Sequence, residues 1–110
     1  MPSDFDSQSA LTEAVYYILL SLYTPLHGYG IMQNIERLSS GRVRLAAGTL
    51  YGALSSMLEK RWIQALPGEI SSRKKQYVIT PAGKTVAQNE LHRLHELVAN
   101  GEAAIQGDDK

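Results

Sequence analysis

The residues best suited to binding chemistry are small polar side chains on one predicted helix. Residues 47–61 repeat apolar side chains at helical spacing, namely Leu50, Leu54, Met57 and Leu58. The opposite face carries Thr49, Tyr51, Gly52, Ser55, Ser56, Glu59 and Lys60. A helix fits the major groove of DNA, about 12 Å wide, and small side chains let it approach the base edges closely. The predicted base or near-base contacts are therefore Thr49, Tyr51, Gly52 and Ser55.

Charge is unevenly distributed along the chain, although eleven basic and eleven acidic residues cancel overall. Residues 1–36 have a formal balance of minus four, residues 37–84 of plus seven, and the remainder of minus three. A basic middle between acidic ends indicates a surface that binds a polyanion. A solvated charged surface without a partner is the alternative interpretation of this pattern.

A basic hairpin follows the helix with the small polar face. Residues 62–66 and 76–80 alternate like strands, and residues 67–75 between them are rich in turn formers and in basic side chains. Contacts to phosphates supply affinity and register rather than sequence reading. The predicted phosphate contacts are Arg42, Arg44, Lys60, Arg73, Lys74 and Lys75, together with His27 and Tyr29 at the start of another helix. For His27, a plain turn residue is an equal alternative.

Further segments must position these two elements. Periodicity predicts helices over about residues 9–24, 29–38 and 47–61, then the two strands, then a long helix over residues 81–106. This is the element order of a winged helix-turn-helix. The predicted fold class is α+β and mostly helical. We expect a winged helix-turn-helix DNA-binding domain at residues 9–80, a C-terminal dimerisation helix at 81–106 and a flexible tail at 107–110.

Local signals predict where the elements begin and end. Ser9 is the expected N-cap of the first helix, and Thr80 is the expected N-cap of the last helix. Gly41 suits the left-handed position that follows the second helix. Residues 25–28 are typical of a turn, and residues 42–45 of a short strand or an extended segment.

The last helix carries a heptad pattern along one face. The first helix is apolar on more than one face, which is typical of a helix covered on two sides. In so small a domain these patterns predict a homodimer held by the first and last helices. The predicted dimer contacts are Leu11, Val15, Ile18, Leu22, Leu91, Leu94, Val98 and Ile105.

Three motifs in this chain resemble a known family. Residues 48–60, GTLYGALSSMLEK, are similar to the "GTLY..L..LE" signature of the PadR family of bacterial transcriptional repressors. Residues 27–31, HGYGI, resemble the opening of that family's second helix, and residues 77–84, YVITPAGK, are similar to its "Y.LT..G" close of the wing. The resemblance covers about residues 10–84, with the motifs in the family's order and spacing.

The resemblance implies a function and partners. Members of the short PadR-like subfamily are homodimers that repress nearby genes, and they often release DNA on binding a small aromatic or drug-like ligand. We accordingly expect a cytoplasmic, sequence-specific repressor whose partners are operator DNA and such an effector. Tyr16, Tyr17 and Trp62 are the expected lining of an effector pocket between the first and last helices. Core or dimer packing is the alternative for these aromatic residues.

The third helix departs from the family pattern at both ends. The family usually has glycine after its "LEK" stretch, where this chain has Arg61 and Trp62, so we expect a different turn into the wing. Many members carry a small polar cap before "GTLY", where this chain has Ala46 and Ala47. The first-turn amides are therefore expected to be free to bind a phosphate.

Other function classes fit the sequence less well. The absence of cysteine excludes thiol catalysis and cysteine-ligated metals, and no recognisable catalytic triad or phosphate-binding glycine loop is present. His92 and His95 are three residues apart, with no evident third ligand apart from the carboxylates Glu90 and Glu96, and solvated surface is the favoured interpretation, so we expect no metal and no cofactor. No apolar stretch approaches the about 20 residues of a membrane span. A winged helix used for protein–protein contact remains the alternative, although the basic run at residues 73–75 favours a polyanion.

Overall fold

This computed structural model describes residues 9–67 and 75–108, which contain four helices and three short strands. In chain order they are α1 (Glu13–Ser21), β1 (Leu26–His27), α2 (Gly28–Leu38), α3 (Ala47–Glu59), β2 (Ile63–Ala65), β3 (Gln76–Ile79) and α4 (Pro81–Asp108). The architecture is mostly helical, with a small sheet and a long last helix, as predicted. None of the helices in this part of the chain is long and apolar enough to cross a membrane.

The hydrophobic core is built from one face of each helix and from the sheet. α2 contributes Ile31 and Ile35, which lie one turn apart. α3 contributes Leu50, Leu54 and Met57, at the spacing that places side chains on one helical face. The other core residues are Ile18, Leu19, Leu22, Ile63, Tyr77, Ile79 and Ala87. The helices and the sheet therefore share a single core.

The sheet is antiparallel and has the strand order β1-β3-β2. Ile63 of β2 lies opposite Ile79 of β3, and His27 of β1 lies opposite Gln76 of β3. The prediction of a turn at residues 25–28 was wrong, because β1 occupies two of these positions and α2 begins directly after it. A strand of two residues is too short to produce an alternating pattern in the sequence.

The first helix starts later than predicted. Thr12 is its N-cap, since Thr12 Oγ1 accepts a hydrogen bond from the amide of Val15 at 3.1 Å. The prediction of Ser9 as N-cap was therefore wrong. The preceding backbone is held by a distant residue instead, because the amide of Leu11 donates to Glu90 Oε1 on α4 at 3.3 Å. α1 also ends three residues earlier than its apolar pattern suggested.

The turn after α2 follows the prediction. Gly41 has a φ of 79°, in the left-handed region, and Ser40 before it has a φ of 54°. Residues 42–45 form no strand, so the strand alternative was wrong. Most of the predicted hairpin connection, residues 68–74, lies outside the described residues.

α3 ends in a left-handed turn at Arg61, whose φ is 63°. The amides of Arg61 and Trp62 donate to Leu58 O and Met57 O, which are the two hydrogen bonds of a Schellman motif. The helix therefore stops at Glu59, two residues before its predicted end. Glycine adopts this conformation readily, whereas for a residue with a Cβ the conformation is less favourable by roughly 1–2 kcal/mol.

α4 begins as predicted and runs further than predicted. The amide of Gly83 donates to Thr80 Oγ1 at 3.1 Å, which makes Thr80 the N-cap. The helix continues through Asp108, two residues past the expected end. Its 28 residues span about 42 Å, and its buried positions, Gly83, Ala87 and Glu90, all lie in the first three turns. The second half of α4 therefore extends beyond the core.

Candidate nucleic-acid interface

One face of α3 is open to solvent. Tyr51 is 49 % exposed, and a Cβ built on Gly48 or Gly52 would have no atom of the described chain within 4 Å. The predicted base-contact residues Thr49, Tyr51, Gly52 and Ser55 are all exposed on this helix. As predicted, no side chain caps α3 at Ala46. The described residues therefore leave this face of α3 accessible to a binding partner.

Tyr51 also packs against the start of α2. A Cβ on Gly28 would stand 2.8 Å from Tyr51 Cζ and would overlap the Tyr51 hydroxyl oxygen. The ring therefore occupies the space that glycine leaves, and the hydroxyl lies beside the first turn of α2. Burial, with a smaller contribution from the nearby Tyr51, raises the pKa of Tyr77. Tyr51 thus combines a packing role with an exposed edge.

His27 is the cap of α2. Its Nδ1 accepts a hydrogen bond from the amide of Gly30 at 3.2 Å. One amide of the first turn of α2 therefore already has a hydrogen-bond partner within the chain. Fewer free amides are left for the phosphate contact that was predicted at this helix. Tyr29, the other residue predicted there, is 63 % exposed.

Gln76 is a neighbour of His27 that the sequence did not reveal. It lies opposite His27 in the β1–β3 register, and its side chain is exposed. Residues opposite each other in an antiparallel pair have Cβ atoms about 4.5–5.5 Å apart. Because β1 was predicted to be a turn, nothing in the sequence indicated that these two residues meet.

Two predicted phosphate contacts already have carboxylate partners. Arg42 Nη1 donates to Glu13 Oε1 at 3.0 Å, and Arg42 Nη2 donates to Glu13 Oε2. This pairing lowers the pKa of Glu13 and raises the pKa of Arg42. Arg44 Nε lies 3.5 Å from Glu36 Oε1. Because water screens exposed pairs, phosphates can compete with both carboxylates for the arginines.

The remaining predicted phosphate contacts are lysines and one arginine. The Lys60 ammonium lies 4.7 Å from the centroid of the Trp62 ring. Lys75 is exposed beside β3. Arg73 and Lys74 lie outside the described residues. Lys60 thus precedes β2 in the chain, and Lys75 directly precedes β3.

A cavity of about 350 Å³ lies between α1 and α4. We call it the α1/α4 cavity, and its lining residues are Leu11, Thr12, Glu13, Tyr16, Tyr17, Glu90, Arg93 and Leu94. Trp62 is not among these lining residues. It borders a second cavity of about 360 Å³ with Val15 and Lys60. The structure therefore brings two of the three predicted pocket aromatics together and separates the third.

Glu90 is a buried carboxylate in the wall of this cavity. Its side chain is 2 % exposed and accepts hydrogen bonds from Arg93 Nε at 3.0 Å and from the amide of Leu11 at 3.3 Å. The hydrogen bond from Arg93 lowers the pKa of Glu90 despite burial. Burial and the Glu90 charge raise the pKa of Tyr16. The sequence marked Glu90 only as a neighbour of two histidines, and the described residues contain no group of three metal-ligating side chains.

The predicted dimer contacts fall into three groups by burial. Ile18 and Leu22 are fully buried in the core, so the prediction that they contact a partner was wrong. Both faces of α1 are covered within the chain, since α1 packs against α2 and α4. Leu11, Val15 and Leu94 are half-buried, whereas Leu91, Val98 and Ile105 are exposed. Leu97, which was not predicted, is also 50 % exposed.

The chain matches the transcriptional regulator PadR-like family over residues 17–89. An uncharacterized 37.1 kDa protein in transposon TN4556 of Streptomyces fradiae is 38 % identical to it over 73 residues, which are 66 % of this chain and 20 % of that protein. The chain thus spans about a fifth of the length of this relative.

Solved structures share the fold. A transcriptional regulator from Clostridium thermocellum has a TM-score of 0.66 at 24 % identity, over 81 % of this chain and 90 % of that chain. Bacillus subtilis PadR in complex with operator DNA has a TM-score of 0.60 at 22 % identity, over 72 % of this chain and 46 % of that chain. These likenesses confirm the predicted fold class.

The three motifs that suggested a family all fall inside the matched region, which covers more than half of the chain. The matched family is one of transcriptional regulators, as the sequence motifs predicted. The chain belongs to the PadR-like family of transcriptional regulators.

Proposed function

We propose that this protein is a cytoplasmic, sequence-specific DNA-binding repressor that acts as a homodimer on a pseudo-palindromic operator. The observation that carries this proposal is the face of α3, where Thr49, Tyr51, Gly52 and Ser55 are all exposed on a helix whose other side is anchored in the core. Small polar side chains read base edges, and the buried face keeps the helix rigid. The two halves of the operator would lie about 34–36 Å apart if the two α3 helices enter successive major grooves.

The surface of α4 supports the dimer. Leu97, Val98 and Ile105 are 50 %, 57 % and 67 % exposed, and they lie in the half of the helix that extends beyond the core. Val98 and Ile105 are seven residues apart, which is the repeat of a helix that pairs with another helix. A second copy of the chain would remove this apolar surface from water.

Phosphate contacts would position the protein without reading sequence. Tyr29 and Lys75 are both exposed. Tyr29 follows His27 in the first turn of α2, and Lys75 directly precedes Gln76, the residue opposite His27 in the sheet. Arg73 and Lys74 precede Lys75 and add two charges to the wing. Together these residues would frame α3 and supply the salt-dependent part of the affinity.

The α1/α4 cavity is the proposed site of an effector. Its volume of about 350 Å³ lies within the usual range of small-molecule sites, about 300–1,000 Å³. Tyr16 and Tyr17 provide aromatic walls, and Leu11 and Leu94 provide apolar ones. A small aromatic or drug-like molecule there would act on the contact between the DNA-binding domain and α4, and release of DNA is the expected response.

A binding measurement tests the proposed function. Fluorescence anisotropy would compare a labelled duplex from upstream of the protein's own gene with a scrambled duplex, at near-physiological salt. We expect selective binding, and Tyr51→Phe or Ser55→Ala should reduce the discrimination by about 1–3 kcal/mol for each specific base interaction that is removed. Equal binding of both duplexes by the parent protein would contradict sequence-specific recognition of this site. Binding to neither would favour a protein-interaction role for the winged helix.

A further inference from the structure

The turn after α3 and the first turn of α4 meet backbone to backbone. A Cβ on Gly83 would overlap the carbonyl oxygen of Trp62, and it would stand 3.0 Å from the Trp62 carbonyl carbon and 2.8 Å from Ile79 Cγ1. A flexible side chain could move away from such an overlap, but a carbonyl group held in a turn cannot. Gly83 therefore allows α4 to lie closer to this turn than any other residue would permit.

Thr80 ties the same two segments together. Its Oγ1 lies 2.6 Å from Arg61 O and 3.0 Å from Trp62 O, so the hydroxyl donates to one or both carbonyls. The amide of Thr80 donates to Trp62 O at 3.0 Å. The same Oγ1 accepts the hydrogen bond of the Gly83 amide. The direction in which α4 leaves the domain is thus set by contacts to the backbone at the end of α3.

A small displacement at Gly83 grows along the helix. Ala87, which is 3 % exposed, is the next buried residue of α4 after Gly83. At a rise of about 1.5 Å per residue, Gly83 lies about 6 Å from Ala87, whereas Ile105 lies about 27 Å beyond it. If α4 tilts about Ala87, a displacement of about 1 Å at Gly83 becomes between about 4 and 5 Å at Ile105. That exceeds the rise of one base pair, about 3.4 Å.

We propose that Gly83 and Thr80 are positioning residues that set the separation of the two α3 helices in the dimer, and thereby the spacing between the operator half-sites that the protein prefers. This inference rests on the proposed function, because it needs a DNA-binding dimer joined through α4. We call the contact between the turn after α3 and the first turn of α4 the joint. The geometry of the joint selects the half-site spacing, whereas the face of α3 selects the bases. The two forms of specificity are separable by mutation.

The test is a selection from a pool of random-sequence duplexes, carried out with the full chain and with Gly83→Ala. The parent should enrich two half-sites at a defined spacing. Gly83→Ala should enrich the same half-site sequence at a spacing changed by one base pair or more. An unchanged spacing would overturn the inference. If the parent itself enriches no paired half-sites, the proposed function fails, and that result is distinct because it does not depend on the variant.

Gly107→Ala is the matched control. It makes the same change on the same helix, about 200° around the axis from the proposed dimer contact Ile105, and a Cβ on Gly107 meets no atom of the described chain within 4 Å apart from its chain neighbours and the nearby backbone of α4. Its selected spacing should equal that of the parent, and an equal shift in both glycine variants would contradict a role for the joint. Thr80→Val, which removes the hydroxyl and keeps the shape, is the second variant. It decides the question if Gly83→Ala does not fold, because it should also change the spacing and not the half-site.

A distance measurement examines the same joint without DNA. The chain has no cysteine, so Ser56→Cys on the exposed face of α3 gives one spin label in each protomer. The separation of the two labels in the dimer should change by several ångströms in Gly83→Ala and stay unchanged in Gly107→Ala. Equal separations in the parent and in Gly83→Ala would show that the joint does not set the distance between the α3 helices.

Discussion

The ring of Tyr51 occupies the space beside Gly28 that a Cβ would fill. The proposed DNA-binding face of α3 is thereby locked to the first turn of α2. Gly28→Ala would force the ring out of this position, since the overlap involves its hydroxyl oxygen and Cζ. We expect a loss of stability of about 1–3 kcal/mol, as for other substitutions that overpack a site. DNA affinity should fall with it.

Thermal unfolding and anisotropy would measure the two effects of Gly28→Ala. Gly30→Ala is its control, because it lies on the same helix turn and its Cβ would make an ordinary contact of 3.4 Å with Leu26. Gly30→Ala should leave DNA binding intact. If both variants bind DNA like the parent, the packing of Tyr51 on Gly28 does not support the binding face.

Val98→Asp should convert the dimer to monomers. Val98 is 57 % exposed on the part of α4 that extends beyond the core, so the introduced charge would meet the partner without disturbing the protomer. Light scattering would give the mass, and operator binding should weaken with dimer loss. Ala99→Asp introduces the same charge about 100° away around the helix and should leave the mass unchanged. A dimeric mass for Val98→Asp would place the interface elsewhere.

The helices could be predicted from sequence because their apolar periods are long and regular. α3 was recognised from residues such as Leu50 and Leu54, and the start of α4 from Thr80, whose capping role needs only local sequence. The N-cap of α1 was misassigned although its signal is local, because Ser9 and Thr12 both suit a cap and Thr12 accepts the hydrogen bond from Val15. The bond between Leu11 and Glu90, which are 79 residues apart, could not be predicted from local sequence.

The candidate site was predictable in part for the same reason. The exposed residues of α3 follow from its period, whereas the proximity of Gln76 to His27 depends on the pairing of β1 with β3. Burial was harder to assign than periodicity. Ile18 and Leu22 have the pattern of a dimer face, and only the folded chain shows that its own helices cover them.

Glu90→Gln should destabilise the protein in a pH-dependent manner. The bonds to Arg93 and to the amide of Leu11 lower the pKa of Glu90 in the folded state, whereas an unfolded glutamate has a pKa of about 4.3. Its contribution is therefore fully present above about pH 5 and is lost as the pH falls through the folded value. At neutral pH we expect a cost of about 1–3 kcal/mol.

Denaturant unfolding at several pH values would follow this contribution. The difference in unfolding free energy between parent and Glu90→Gln should be constant near neutrality and should shrink in acid. Glu96→Gln, at an exposed position on the same helix, is the control. A difference that does not change with pH would mean that the charge of Glu90 does not stabilise the fold.

Arg61→Gly should stabilise the protein. Arg61 has a φ of 63° in the turn that ends α3, and its side chain is exposed. Glycine avoids the unfavourable contact of the Cβ in this conformation, so the unfolding free energy should rise by about 1 kcal/mol. Arg61→Ala keeps a Cβ and should show no such gain. A gain of the same size in both variants would assign the effect to the removed charge.

Replacing Arg73, Lys74 and Lys75 with alanine should weaken binding to all DNA sequences alike. These side chains carry charge but are not expected to read bases. The slope of log affinity against log salt should flatten by up to about one unit for each phosphate that a subunit no longer neutralises. A titration series at several salt concentrations measures this. An unchanged slope would place the wing away from the phosphates.

Trp62 is the one tryptophan in the chain, and it stands at the joint between α3 and α4. Its peptide groups are bound by Met57 and Thr80, its ring is half-buried, and the Lys60 ammonium lies 4.7 Å from the ring centroid. The emission of an indole depends on such a charge and on access of water. The intrinsic fluorescence of the unmodified protein therefore reports on this joint, and its response to DNA or to a small molecule will show whether either one moves α4.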